Sequence, residues 1–181
     1  MKYDPAGQKL PRITLICLKL SALIEISFLL SLRPLTHDQA LAVAKGERLK
    51  DWASDYPQDS DAEIANYLIN HKGSQWPCRN HYQIFDQQTQ RVIGTIGYWE
   101  SGSKREIEIG YSTVPSRRNA GVATEALSAL TTKLHHDFPN SELFLRVEQK
   151  NEASLAVAAK VGFSDISIDF DMCTLIIRYP H

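Results

Sequence analysis

Three short runs dominate the middle of the chain: "NHYQIFD" (80–86), "RVIGTIGYW" (91–99) and "REIEIGYST" (105–113). They are rich in Ile, Val, Tyr and Thr, and the polar linkers "QQTQ" and "ESGSK" part them. β-Branched and aromatic runs with short polar connections predict an antiparallel meander. The pattern then changes period. Ala123, Ala126, Leu127, Leu130 and Leu134 share one face of a helix predicted near 121–136. "ELFLRV" (142–147) returns to alternation, and "NEASLAVAAKVG" (151–162) reads as a short helix with Asn151 at its N-cap and Gly162 beyond its end. "FSDISI" and "FDMCTLIIRY" close the chain as two strands.

Ahead of the meander, "SFLLSLRPL" (27–35) reads as a strand ending at Pro34. Residues 36–46 read as a helix, with Thr36 and Gln39 at capping-box spacing and Gly46 as a stop. Residues 47–59, with Trp52, Tyr56 and Pro57, look like loop or short helix. "SDAEIANYLINH" reads as a helix opened by a second capping box, Ser60 with Glu63. The order is β-α-α-β-β-β-α-β-α-β-β. No repeat or linker marks a second unit, so 1–26 is taken as an N-terminal extension and 27–181 as the domain.

The bulk numbers narrow the class. A chain of 181 residues with 43 % apolar and 23 % charged content suggests one globular domain with its own core. The formal net charge of −1 supplies no field for nucleic acid or an anionic membrane. The apolar segment Ile13 to Leu32 contains Lys19 and Glu25, which hydrocarbon disfavours, and no small-residue cleavage site follows it. Folded structure is therefore expected there rather than a membrane span. Cys17, Cys78 and Cys173 form no CxxC pair, which fits a reducing, cytoplasmic compartment.

"RRNAGVATEAL" (117–127) lies where strand gives way to helix. A helix N-terminus presents amides without intrahelical partners and the positive end of the dipole. Gly121 and Ala123 keep bulk away, and Arg117 and Arg118 add charged donors, so the turn permits a pyrophosphate cradle. It is neither a Walker loop nor a dinucleotide fingerprint, because neither spacing is present. Taken alone, it is equally a helix start with two solvated arginines. His135 and His136 suit the negative pole of a helix better than a metal, and no metal site is expected.

The segment "IEIGYSTVPSRRNAGVATEAL" (107–127), followed by "NEASLAVAAKVGF" (151–163), resembles the GNAT superfamily of acyl-CoA-dependent N-acyltransferases. Arg118, Gly121 and Ala123 match its Q/R-x-x-G-x-G/A loop. Asn151, Ser154, Lys160, Gly162 and Phe163 resemble its second signature, in the manner of the ribosomal-protein N-terminal acetyltransferase (RimJ/RimL-like) branch. The resemblance implies an α+β fold: a mostly antiparallel, twisted sheet of about seven strands, four flanking helices, and a splay between the family's fourth and fifth strands, here 105–114 and 142–147.

It also implies acetyl-CoA as acyl donor and a primary amine as acceptor, on a protein N-terminus or a small molecule. The pantetheine arm would pair near Thr113 and Val114, and the diphosphate would rest on the amides of 118–123, which include Asn119, Ala120 and Val122. A backbone N–H near Val114 would donate to the thioester oxygen. Asn151, Ser154 and Lys160 complete the cofactor set. Glu108 is the first candidate base, and Glu106, on the same side of the strand, is the second. The tyrosine that protonates the departing thiolate in many members falls at Ala158, leaving Ser154 as the candidate acid. That departure keeps a catalytically weak or silent acyl-CoA-binding regulatory module as the alternative. Trp52, Tyr56, Trp76, Tyr98, Trp99 and Phe144 include acceptor-pocket candidates. Asp51, Asp55, Asp59 and Asp61 form an acidic stretch suited to solvent or to a cationic amine. A homodimer is compatible with the resemblance.

Overall fold

The computed structural model describes residues 24–25, 29–71, 73–101, 105–170 and 174–180. The expectations for residues 1–23, and for Cys17 and Cys173, lie outside the described residues. Eight strands form one sheet: β1 (Ile24–Glu25), β2 (Leu30–Pro34), β3 (His81–Asp86), β4 (Arg91–Ser101), β5 (Glu106–Thr113), β6 (Glu142–Glu148), β7 (Asp165–Asp169) and β8 (Thr174–Arg178). Their spatial order is β1-β2-β3-β4-β5-β6-β8-β7. The helices are α1 (His37–Ala44), α2 (Asp59–Asn70), α3 (Val122–Asp137) and α4 (Glu152–Val161). Beyond the two-residue β1 this is the expected seven-stranded, four-helix α+β architecture. No described helix is long and apolar enough to cross a membrane.

Every neighbouring pair is antiparallel except β5 and β6. Those two are joined through α3, and a connection that crosses by way of a helix returns the chain in the same direction. Their pairing runs only from Glu106↔Glu142 to Ile109↔Leu145. Beyond that point β5 stays with β4 as far as Thr113, while β6 stays with β8 as far as Glu148. The sheet therefore forks between β5 and β6.

Alternation sorts side chains onto two faces. Ile107 and Ile109 of β5, Leu143 and Leu145 of β6, and Tyr98 of β4 are buried on the face that meets Phe138, just past α3. Ala126, Leu127, Leu130 and Leu134 of α3 are buried, as the helical spacing predicts. The other face carries α2, pinned by Asp61. One carboxylate oxygen of Asp61 accepts from Thr95 Oγ1 and Ser112 Oγ, both at 2.7 Å, and the other accepts from the Gln58 N–H at 2.9 Å.

Local signals match the structure with one exception. Thr36 and Gln39 form their capping box, and Asn151 accepts from the Ser154 N–H at 3.0 Å. The box expected at Ser60 and Glu63 does not form. The cap lies two residues earlier, with Gln58 as N-cap and Asp61 as the reciprocating acid. Asp61 wins because the same carboxylate also satisfies two half-buried hydroxyls of the sheet. Asp61 is thus buried, not part of a solvated acidic stretch, and Asp55 accepts from the Ser116 N–H (2.8 Å) and hydroxyl (3.0 Å). Trp52 and Tyr56 are buried and meet edge to face at 4.9 Å, so they belong to the core rather than to an acceptor pocket.

Candidate active site

A cleft of about 660 Å3 opens where β5 leaves β6. Its walls come from the free end of β5, the turn before α3 and the outer side of α4. Of the residues singled out in the sequence, Thr113, Arg117, Arg118, Asn119, Gly121, Val122, Ala123, Asn151, Ser154 and Lys160 line it. Val114, Ala120, Glu106 and Glu108 do not.

The turn into α3 is shaped by left-handed backbone. Asn119 has φ +60° and Gly121, the N-cap, has φ +81°. The first helical bond runs from the Glu125 N–H to the Gly121 carbonyl at 3.0 Å. The amides of Val122, Ala123 and Thr124 precede it, and all three residues face the cleft. A Cβ at Gly121 would meet nothing within 4 Å, so the approach to these amides is open. The amides, the helix dipole and the open floor suit a diphosphate.

The two arginines divide. Arg118 is exposed; its Nη2 donates to Gln58 Oε1 at 3.2 Å and its Nε to the Thr113 carbonyl at 3.4 Å. Arg117 turns back to Asp86, 2.6 Å away, whose carboxylate is buried. Positive charge for an anion therefore comes from Arg118, Lys160 and the helix end.

The fork edge of β5 is also specific. The Val114 N–H donates inward to the Ile93 carbonyl at 3.0 Å. Antiparallel alternation then turns the backbone groups of Tyr111 and Thr113 toward the gap. The Gln58 side chain already donates to the Thr113 carbonyl at 3.1 Å. Gln58, Tyr111 and Thr124 are cleft residues that the sequence reading did not single out. Tyr111 was recoverable, because it continues the Ile107, Ile109 alternation; Gln58 arrives from a distant helix and carries no local signal. The Tyr111 hydroxyl donates to the Ser154 carbonyl at 3.4 Å. Burial pushes the Tyr111 phenol up, and that bond opposes the push. Ala158 faces the core, 1 % exposed.

On the opposite face of the fork lies a chain of charges. Arg146 Nε sits 3.4 Å from Glu108 Oε1, and its Nη1 pairs with Asp169. Arg178 pairs with Glu142 and lies 3.8 Å from Glu106. Trp99 stands opposite Glu108 across the β4–β5 pair, and its ring rests over Gly110, where a Cβ would meet it at 3.3 Å.

Residues 30–164 match the family described as the acetyltransferase (GNAT) domain, well over half of the chain. The chain belongs to the GNAT acetyltransferase family. No curated protein sequence matches it. Among solved structures, the GNAT chain is similar to an acetyltransferase from Agrobacterium tumefaciens (20 % identity, TM-score 0.64, covering 90 % of this chain and 96 % of that one). It is similar to a ribosomal-protein-alanine acetyltransferase from Vibrio fischeri (15 %, 0.59, 87 % and 94 %). It also resembles RimL, a ribosomal α-N-protein acetyltransferase, in complex with coenzyme A (19 %, 0.60, 87 % and 96 %). At these identities the likeness is one of fold.

Proposed function

We propose that this GNAT chain transfers an acetyl group from acetyl-CoA to a primary amine by direct attack, with a protein N-terminus or a small-molecule amine as acceptor. The observation that carries the reading is the fork: β5 and β6 part directly beside an open helix N-terminus. The amides of Val122, Ala123 and Thr124, with Arg118 and Lys160, bind the diphosphate. The backbone edge at Tyr111 and Thr113 pairs with the pantetheine arm as an added strand would. An amide on that edge donates to the thioester oxygen and to the charge that grows on it; such donors each supply about 3–4 kcal/mol in acyl transfer.

The acceptor arrives as ammonium, since amines titrate near pH 8–10. Glu108 takes its proton, with Glu106 as second candidate. The neutral nitrogen attacks the carbonyl carbon, the carbon–sulfur bond breaks, and the thiolate leaves on the Ser154 side, taking up the second nitrogen proton to become the free thiol as the neutral amide forms. The likeness in fold to enzymes of ribosomal-protein N-termini favours a protein N-terminus as the first acceptor to try.

The test is release of free thiol from acetyl-CoA across a panel of N-terminal peptides, polyamines and amino acids, with coenzyme A affinity measured by calorimetry. Turnover with one amine class supports the reading, and binding without turnover supports a silent acyl-CoA module. No binding at millimolar coenzyme A overturns both.

A further inference from the structure

We propose that Arg146 is a positioning residue of the acceptor site, which clamps Glu108 at the mouth of the fork and uses Asp169 as its anchor. The proposal rests on the reading of Glu108 as base given above. Its own support is independent of the coenzyme A cleft.

Register fixes the location. Glu108 stands opposite Phe144, so Arg146 comes two residues later on the same face, just past the last β5–β6 pair at Ile109↔Leu145. It is therefore at the point where the strands part. The next residue of β5 in that register, already past the last pair, is Gly110, whose missing side chain leaves space that the Trp99 ring partly covers. Without Arg146, the half-buried Glu108 carboxylate would be free to swing where the strands part. With it, one oxygen is held 3.4 Å from Nε while the far side of the guanidinium is tied to Asp169 on β7. A planar guanidinium can hold two carboxylates at once, which lysine cannot do in the same geometry. The remaining Glu108 oxygen is left to an incoming ammonium beside the Trp99 ring.

Among the described residues of β5 to β8, the other charged groups on this face are Glu106, Glu142, Glu148, Arg178, Asp165 and Asp169, and Arg33 lies on the same face of the sheet at the distant strand β2. His81 lies beyond the Trp99 ring, their centroids 4.5 Å apart, and Asp61 is held by Thr95 and Ser112. Arg178 is engaged with Glu142, Glu106 and Ser167, so among the described residues Arg146 is the cation that bears on Glu108.

The experiment compares Arg146→Met, Arg146→Lys, Asp169→Asn and Glu108→Gln, with the double variant Glu108→Gln/Arg146→Met, by steady-state kinetics and coenzyme A calorimetry. Arg146→Met should lower kcat about tenfold while the acetyl-CoA KM and the coenzyme A affinity stay unchanged, because the clamp orients Glu108 and does not line the cofactor cleft. Arg146→Lys should restore part of kcat but not all of it, Asp169→Asn should lower kcat about threefold, and the double variant should be no slower than Glu108→Gln alone. A wild-type kcat in Arg146→Met beside a slow Glu108→Gln overturns the proposal and leaves the base assignment standing. A fully active Glu108→Gln overturns the base assignment, and the proposal with it. If Arg146→Met does not fold, Arg146→Lys and Asp169→Asn decide: an unchanged kcat in both overturns the clamp.

Discussion

Arg117 and Arg118 are neighbours with the same charge, and from the sequence both read as charged donors beside the turn. The fold gives them different work. Replacing Arg117 by Met leaves the buried Asp86 carboxylate without its cation, at an expected cost of about 2 kcal/mol, less than for a fully buried pair because Arg117 itself is half-buried. Arg118→Met removes an exposed donor on the cleft; it should leave the melting temperature within a degree or two and weaken coenzyme A about fivefold in calorimetry. Equal effects of the two substitutions on affinity would contradict the division. Gly121 is a third test at this scale. Its Cβ space is empty, so Gly121→Ala acts through the φ of +81° alone, costing about 1 kcal/mol and tilting the amides that meet the phosphate. A thermal melt and a coenzyme A titration of the same variant check both halves. Gly121 and Arg118 were legible as a motif. The turning of Arg117 was not, because Asp86 lies on a strand distant in sequence.

At the scale of elements, order and type were legible because each one carries its own period and caps: Thr36 with Gln39, Asn151, and glycines 46 and 162 in left-handed conformation past their helices. The docking of one element on another was not. Asp61 reads as one of four acidic residues in a polar stretch, yet it joins α2 to both β4 and β5 through two hydroxyls and an amide. Nothing in the local sequence marks Thr95 and Ser112 as its partners, since they are set by cross-strand register. Asp61→Ala should cost about 2–4 kcal/mol, because three buried or half-buried donors lose one acceptor. It should also speed amide exchange in the first turn of α2, the turn that carries Gln58 to the Thr113 carbonyl. Asp61→Asn, which keeps one oxygen, should fall between. A melting temperature unchanged in Asp61→Ala would show that α2 is held by its apolar contacts alone.

For the molecule as a whole, acid sensitivity follows from His81. Its ring is buried between Gly97 and the edge of Trp99, 5 % exposed, and burial lowers its pKa to about 4. In the unfolded chain the same imidazole titrates near 6.5, so between those two values the unfolded state binds more protons than the folded one. Stability therefore rises with pH across that window and is fully present above it. As pH falls from 6.5 toward 4 the native state should lose about 3 kcal/mol from this group. Asp55 and Asp137, held low by Ser116 and by Lys133 with His136, add losses of the same sign at more acidic pH, when those carboxylates protonate. His81→Phe keeps an aromatic edge against Trp99 and removes the titration. Urea denaturation at half-unit steps from pH 7.5 to 4 should then show a nearly flat midpoint down to about pH 5 in the variant, against a falling one in the parent. Parallel slopes in the two proteins would assign the acid sensitivity to the carboxylates instead. The folded imidazole would then have to titrate near its ordinary value, which the close packing of Gly97 and Trp99 around it opposes.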